Sequence, residues 1–236
     1  DRRDGVTAPL QLQRVDADEF HRAVPDAKDG ILSAFRFLKT DFTLAVRAET
    51  IQPQIEAVAR NSFRIGAESV QIAAQVDYTI KRAGVFALRL ALPAGYRLES
   101  VTGDKLSQWV ERSENGAPLV EVTLKERTLG AYTLKLGLRQ NYQQPPRTLA
   151  IAGVHPLGAE KLSGYITVAA DHGLAAKTDT FEGLTEIPFA SVPGESGAAG
   201  TSALAYKFIA TAPTAVPPWK LSVTTEAVEP WLRAEI

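Results

Sequence analysis

Most of the chain is written in period two. In "FTLAVRAETI" (residues 42–51) Phe42, Leu44, Val46 and Ala48 fall on one face, with Thr43, Arg47 and Glu49 among the residues turned the other way. In "SVQIAAQVDYTIKR" Val70, Ile72, Ala74, Val76, Tyr78 and Ile80 oppose Gln71, Gln75, Asp77, Thr79 and Lys81. Successive side chains of a strand point to opposite faces, so each run predicts a strand with one dry and one wet side. Further runs follow turn-forming residues: "YRLESV" after Pro93-Ala94-Gly95, "PLVEVTL" after Asn115-Gly116, and "AYTLKLGLRQNY" after Gly130. "VFALRLAL" follows Ala83-Gly84, which reads as a tight hairpin turn, and "GYITVAAD", "ALAYKFIA" and "WKLSVTTEAV" come later. Such punctuation predicts an all-β protein, with antiparallel strands arranged as one or two β-sandwiches in series. Helical signal is confined to "DADEFHRAV" (16–24), where Asp16 can cap a short helix and Pro25 lies beyond its end. The stretch "PQIEAVARNSF" reads as strand.

Two loop-like stretches, "QNYQQPPRTLA" and "SVPGESGAAGTS", suggest divisions. The expected layout is residues 1–30 as the end of a preceding module or an N-terminal extension, and 31–140 as the main β-sandwich. Residues 141–202 form a second, smaller β-rich part or a continuation of the sandwich, and 203–236 the first strands of a following repeat.

That last expectation rests on a self-match. "FTLAVRAETIQPQIEA" (42–57) aligns without gaps on "WKLSVTTEAVEPWLRA" (219–234), pairing Leu44 with Leu221, Val46 with Val223, Glu49 with Glu226, Pro53 with Pro230 and Ala57 with Ala234. Upstream, "AFRFL" (34–38) matches "AYKFI" (205–209), and each copy carries an earlier Val-Pro. A period of about 175 residues is too long for a solenoid unit and fits a string of whole β-domains. On this reading the chain is a cut through a tandem array, and the absence of methionine, even at position 1, agrees with a processed or excised piece.

Charge removes one class of function. Twenty-six Lys and Arg against 27 Asp and Glu leave a net charge of −1, without a basic cluster, so a nucleic-acid partner is not expected. No apolar run reaches the length needed to span a bilayer, and membrane insertion by this segment is not expected. There is no cysteine, which excludes disulfides and thiolate chemistry.

Candidate chemistry is sparse. The three histidines, His21, His155 and His172, have no second ligand at helical spacing, so neither a metal nor any other cofactor is expected. Asp171-His172-Gly173 and "VTGD" (101–104) are turn sequences. Glu49 and Glu226, equivalent in the repeat, suit cross-strand ion pairs better than a glycosidase acid lacking its second carboxylate. No catalytic residue is assigned. The aromatics Trp109, Tyr142 and Trp231 are candidates for ligand or inter-module contact, because rings exposed on a β-sandwich stack on apolar sugar faces.

The stretches "GVFALRLALPAGYRLESVTGDKLSQWV", "SGYITVAADHGL" and "ALAYKFI" resemble the repeated β-rich extracytoplasmic regions of large, uncharacterised bacterial envelope proteins. The resemblance carries no functional residue; it implies a periplasmic or cell-surface setting. The expectation is therefore a non-enzymatic structural or interaction module of a larger envelope protein, whose partners are neighbouring modules of the same parent chain and, further, a glycan or another envelope protein. The alternative is a carbohydrate-binding module or the accessory sandwich of a carbohydrate-active enzyme.

Overall fold

The computed structural model describes residues 2–7, 12–27, 31, 33–42, 44–194, 203–210 and 217–228. The chain falls into two compact units, Asp1–Gln52 and Pro53–Ile236. Apart from one short helix and one 3-10 turn, every described element is a strand, so the fold is all-β.

The first unit holds β1 (Arg2–Thr7), β2 (Leu12–Val15), α1 (Ala17–Ala23), β3 (Ala34–Phe37) and β4 (Ala45–Thr50). The strands pair in nested fashion and antiparallel, β1 with β4 and β2 with β3. The helix starts where the sequence places it: the Asp16 side chain accepts a hydrogen bond from the Glu19 backbone N–H at 2.6 Å, satisfying one of the orphan donors of the first turn.

The second unit is built on a nine-stranded sheet. Its strands are β5 (Gln54–Ile65), β6 (Ser69–Ala91), β7 (Arg97–Gly103), β8 (Leu106–Glu114) and β9 (Ala117–Asn141). The chain continues through β10 (Thr148–Ile151), β11 (His155–Pro156), β12 (Lys161–Ala170), β13 (Leu174–Glu182) and β14 (Thr185–Glu186). A 3-10 turn at Phe189–Ser191 leads towards β15 (Ala203–Ala210) and β16 (Lys220–Ala227). The large sheet runs β14-β15-β12-β5-β6-β9-β7, with β11 on β6 and β8 on β9, while β10-β16-β13 form a second, three-stranded sheet. Among the described residues only the β5–β12 pair is parallel.

The expected alternation decides which face is dry. Along β6, Val70, Ile72, Ala74, Val76, Tyr78 and Ile80 are all buried, and the equivalent row of β9 is Tyr132, Leu134, Leu136 and Leu138. Ile151, Ala176, Trp219, Leu221 and Val223 of the second sheet and its flanks belong to the same apolar cluster. The Phe208 and Trp219 rings meet at 6.1 Å between centroids, and Thr178 and Tyr206 hydroxyls hydrogen-bond at 2.6 Å, so the small sheet packs on the inner face of the large one.

Asn61 interrupts the apolar row of β5 for a reason that can be read off its bonds. Its side chain accepts from the Val154 N–H at 2.8 Å and donates to the Val154 carbonyl at 3.2 Å, pairing both backbone polar groups of a buried residue. Asn61→Ala strands those groups and is expected to cost about 2–3 kcal/mol in urea unfolding.

Three features bear on the expected layout. Ala83-Gly84 does not reverse the chain: β6 runs on through it, and the β6–β9 register shifts between Ile80 and Val85, where Arg82 adopts φ +66°. Residues 81–84 are thus a bulge in one long strand, opposite a matching irregularity that includes Gly130 (φ +91°) in β9. The parts expected at 31–140, 141–202 and 203–236 contribute strands to a single sheet, through β5, β6, β7 and β9, then β12, then β15. The Pro-rich connector after β9 is tied into the second unit: the Thr225 hydroxyl donates to the Pro146 carbonyl at 2.5 Å, and the Thr225 N–H donates to the Arg147 carbonyl at 2.9 Å.

Candidate binding face

The outer face of the large sheet carries a cross-strand polar network. Because β5 and β6 are half-wet strands in antiparallel register, their outward residues stand opposite one another: Glu56 faces Thr79, Val58 faces Asp77, and Arg60 faces Gln75. The parallel neighbour β12 adds Lys161, Ser163 and Tyr165, and β15 adds Lys207 and Ile209. Together these strands floor an open groove of 630 Å³.

Two carboxylates organise it. Asp77 accepts from Arg60, from the Thr133 hydroxyl at 2.8 Å and from the Gln75 amide at 3.0 Å. Partial burial pushes its pKa up, but the bonds from Thr133, Arg60 and Gln75 outweigh that and hold it below the ordinary 3.8. Glu56 bridges Lys81 at 2.7 Å and Lys161 at 3.2 Å, and these two cations lower its pKa. Lys207 is exposed opposite Tyr165. Five basic or acidic side chains here are therefore held in fixed positions by one another, which suits a face that meets a polar or anionic surface.

The Asp77 network makes a pH prediction. A carboxyl whose folded pKa is depressed contributes stability that is complete above its unfolded value and is lost as pH falls through the lower folded value. Asp77→Asn should therefore reduce stability at pH 7 by about 1 kcal/mol or less, since the pair is partly wet. Near pH 2 variant and parent should converge, and parallel pH–stability curves would contradict the assignment.

Of the aromatic candidates, the two among the described residues lie outside this groove. Trp109 is on β8 opposite Val122, half-buried against the core. Tyr142 follows the other end of β9; its hydroxyl donates to the Gly66 carbonyl, and burial pushes the phenol pKa up. Both are partly buried, and Trp109 and Tyr142 lie at different ends of β9. Trp231 lies outside the described residues. The groove residues Glu56, Arg60, Lys161, Tyr165 and Lys207 escape a reading of the sequence because cross-strand partners are distant along the chain. Their signal is only the wet half of each alternating run, already visible in Gln75, Asp77, Thr79 and Lys81.

The turn reading of Asp171-His172-Gly173 holds: Gly173 has φ +87°, and the Asp171 carboxylate accepts from Arg64 at 2.6 Å. Among the described residues there is no group of three or more His, Asp and Glu placed to hold a metal ion, and no helix long and apolar enough to cross a membrane.

No family model matches the sequence, and no curated protein matches it. Solved structures with a similar arrangement include an M1 zinc metallopeptidase from Deinococcus radiodurans, at TM-score 0.40 and 13% identity, covering 72% of this chain and 42% of that one. Native leukotriene A4 hydrolase from Saccharomyces cerevisiae aligns at TM-score 0.44 and 10% identity, over 73% of this chain and 29% of that one. The chain spans less than half the length of either enzyme. Likeness at this level assigns no role to any residue here.

Proposed function

We propose that this chain comes from a tandem array of β-sandwich modules and serves a structural or interaction role in a larger bacterial envelope protein, at the periplasmic or outer side of the cell. One observation carries the reading: the four described strands of the first unit and the last four of the second share order and pairing partners. The first unit and the last part of the second run strand, strand, short helix or 3-10 turn, strand, strand, with the outer two paired and the inner two paired. In the first unit Arg2 stands opposite Thr50 and Gln13 opposite Arg36. In the second, Leu174 stands opposite Ala227 and Thr185 opposite Lys207. Under the self-match of the sequence, Thr50 corresponds to Ala227 and Arg36 to Lys207, so β3 and β4 take the places of β15 and β16 in the two pairs, although the β13–β16 pair carries a register shift between Thr178 and Thr180 that β1–β4 lacks.

Alternation alone makes any two strands look alike, but it does not fix which strand pairs with which or at which residue. Shared order and partners across two nested pairs, together with the self-match, support common descent of the first unit and the end of the second. The module then runs from about Pro53 to Val228, and its partners are neighbouring modules. The proposed role is tested by incubating the chain with purified peptidoglycan and insoluble polysaccharides. A spacer or scaffold leaves the chain in the supernatant; saturable binding removed by Tyr165→Ala would instead make the outer groove a glycan-recognition site.

A further inference from the structure

The two units differ in one respect that the self-match makes legible. Phe208, Trp219 and Leu221 are 3%, 6% and 3% exposed, whereas their counterparts Phe37, Phe42 and Leu44 are 56%, 44% and 40% exposed. The aromatic pair itself recurs, with Phe37 and Phe42 stacked at 5.4 Å between centroids where Phe208 and Trp219 sit at 6.1 Å. Residues on the opposite face match in both units: Leu38 is 64% exposed and Ile209 66%, while Ala34 and Ala205 are both buried. The difference is thus confined to the face that, in the second unit, packs under the large sheet.

Resting on the module reading, we infer that the first unit is the closing portion of a module whose Phe37-Phe42-Leu44 face is covered by strands equivalent to β5, β6, β9 and β12 of a preceding copy in the parent polypeptide. The occupant is defined by the interface already present in the second unit. There β15 hydrogen-bonds to β12 along its length, with Tyr165 opposite Lys207 and Gly164 opposite Phe208. β16 is likewise flanked by β10 as well as β13. In the first unit β3 has only β2 beside it and β4 only β1 among the described residues. The free edge of β3 is therefore the seat of a β12 equivalent, with a glycine opposite Phe37 and a Tyr165 counterpart opposite Arg36. The free edge of β4 is the seat of a β10 equivalent. Three exposed apolar side chains beside two open edges are costly for an isolated surface and ordinary for an interface.

The test extends the full chain: a copy of residues 53–173 replaces Asp1 and runs directly into Arg2, which corresponds to Leu174. Hydrogen exchange of the β3 and β4 amides should slow on the order of 100-fold or more relative to the unextended chain. A second copy carrying Gly164→Ala, which obstructs the β12 seat, should forfeit that protection in β3. If the added segment protects its own amides while β3 and β4 exchange as before, or if it fails to fold at all, the inference is overturned. A second measurement needs no extension: carbene footprinting of the chain as it stands should label Phe37, Phe42 and Leu44 heavily and leave Phe208, Trp219 and Leu221 unlabelled. Equal protection of the two sets would mean that the face is already covered, which also overturns the inference. Neither result disturbs the module reading, which stands or falls on the register of β1–β4 and β2–β3.

Discussion

Trp219→Ala is expected to lower the stability of the second unit by about 3–5 kcal/mol, the range for removing a fully packed large aromatic. Its counterpart change, Phe42→Ala, should cost about 1 kcal/mol or less, since it removes a half-exposed ring and one stacking contact with Phe37. Trp219 lies against Phe208 within the core cluster, where deletion leaves a cavity between the two sheets. At Phe42 solvent fills the space. Urea unfolding, followed through amide resonances of each unit separately, gives both values in one experiment. Comparable losses at the two positions would mean that Phe42 is as deeply packed as Trp219, contrary to the structure.

Gly164→Ala is the second large effect. Gly164 sits in β12 between the parallel partner β5 and the antiparallel partner β15. A methyl there would collide with the Ala59 carbonyl oxygen, and it would lie 2.7 and 2.8 Å from ring atoms of Phe208. The obstacle on one side is backbone, which cannot rotate away as a side chain would, so β5 and β12 must separate or Phe208 must leave its place. The expected loss is on the order of 3 kcal/mol, the upper part of the range for overpacking a close-packed core. Thermal unfolding by circular dichroism measures it. Gly116→Ala is the contrasting control for added bulk, because nothing lies within 4 Å of a methyl there, although its φ of +80° carries a separate backbone cost.

What the sequence made visible, and what it did not, follows from the range of each signal. Period-two alternation is local, so the dry row of β6 could be named residue by residue and the other long strands recognised as runs. The Asp16 cap is equally local: the signal and its bond are three residues apart. Local punctuation misleads where a glycine relieves a bulge instead of reversing the chain. At Ala83-Gly84 the sequence offers a turn, yet β6 continues because β9 supplies matching partners on both sides of the irregularity. Non-local relations were out of reach. The Glu56–Lys81 and Glu56–Lys161 pairs join strands whose adjacency the sequence does not state, and the same holds for the Arg60–Asp77 pair. Trp109 and Tyr142 stood out by residue type, and both are partly buried.

The self-match is the exception, a long-range relation legible in sequence because it is a likeness rather than a contact. The proposed repeat has to satisfy pairing and register as well, since those are the properties alternation leaves undetermined. The most direct test of the central claim is solution NMR of the whole chain, reading cross-strand Hα–Hα and amide contacts in the two nested pairs. The account predicts contacts that place Gln13 opposite Arg36 and Gly5 opposite Arg47, in parallel with Thr185 opposite Lys207 and Lys177 opposite Thr224. A first unit with β1 or β2 slipped by one residue, or paired with another strand, would contradict it.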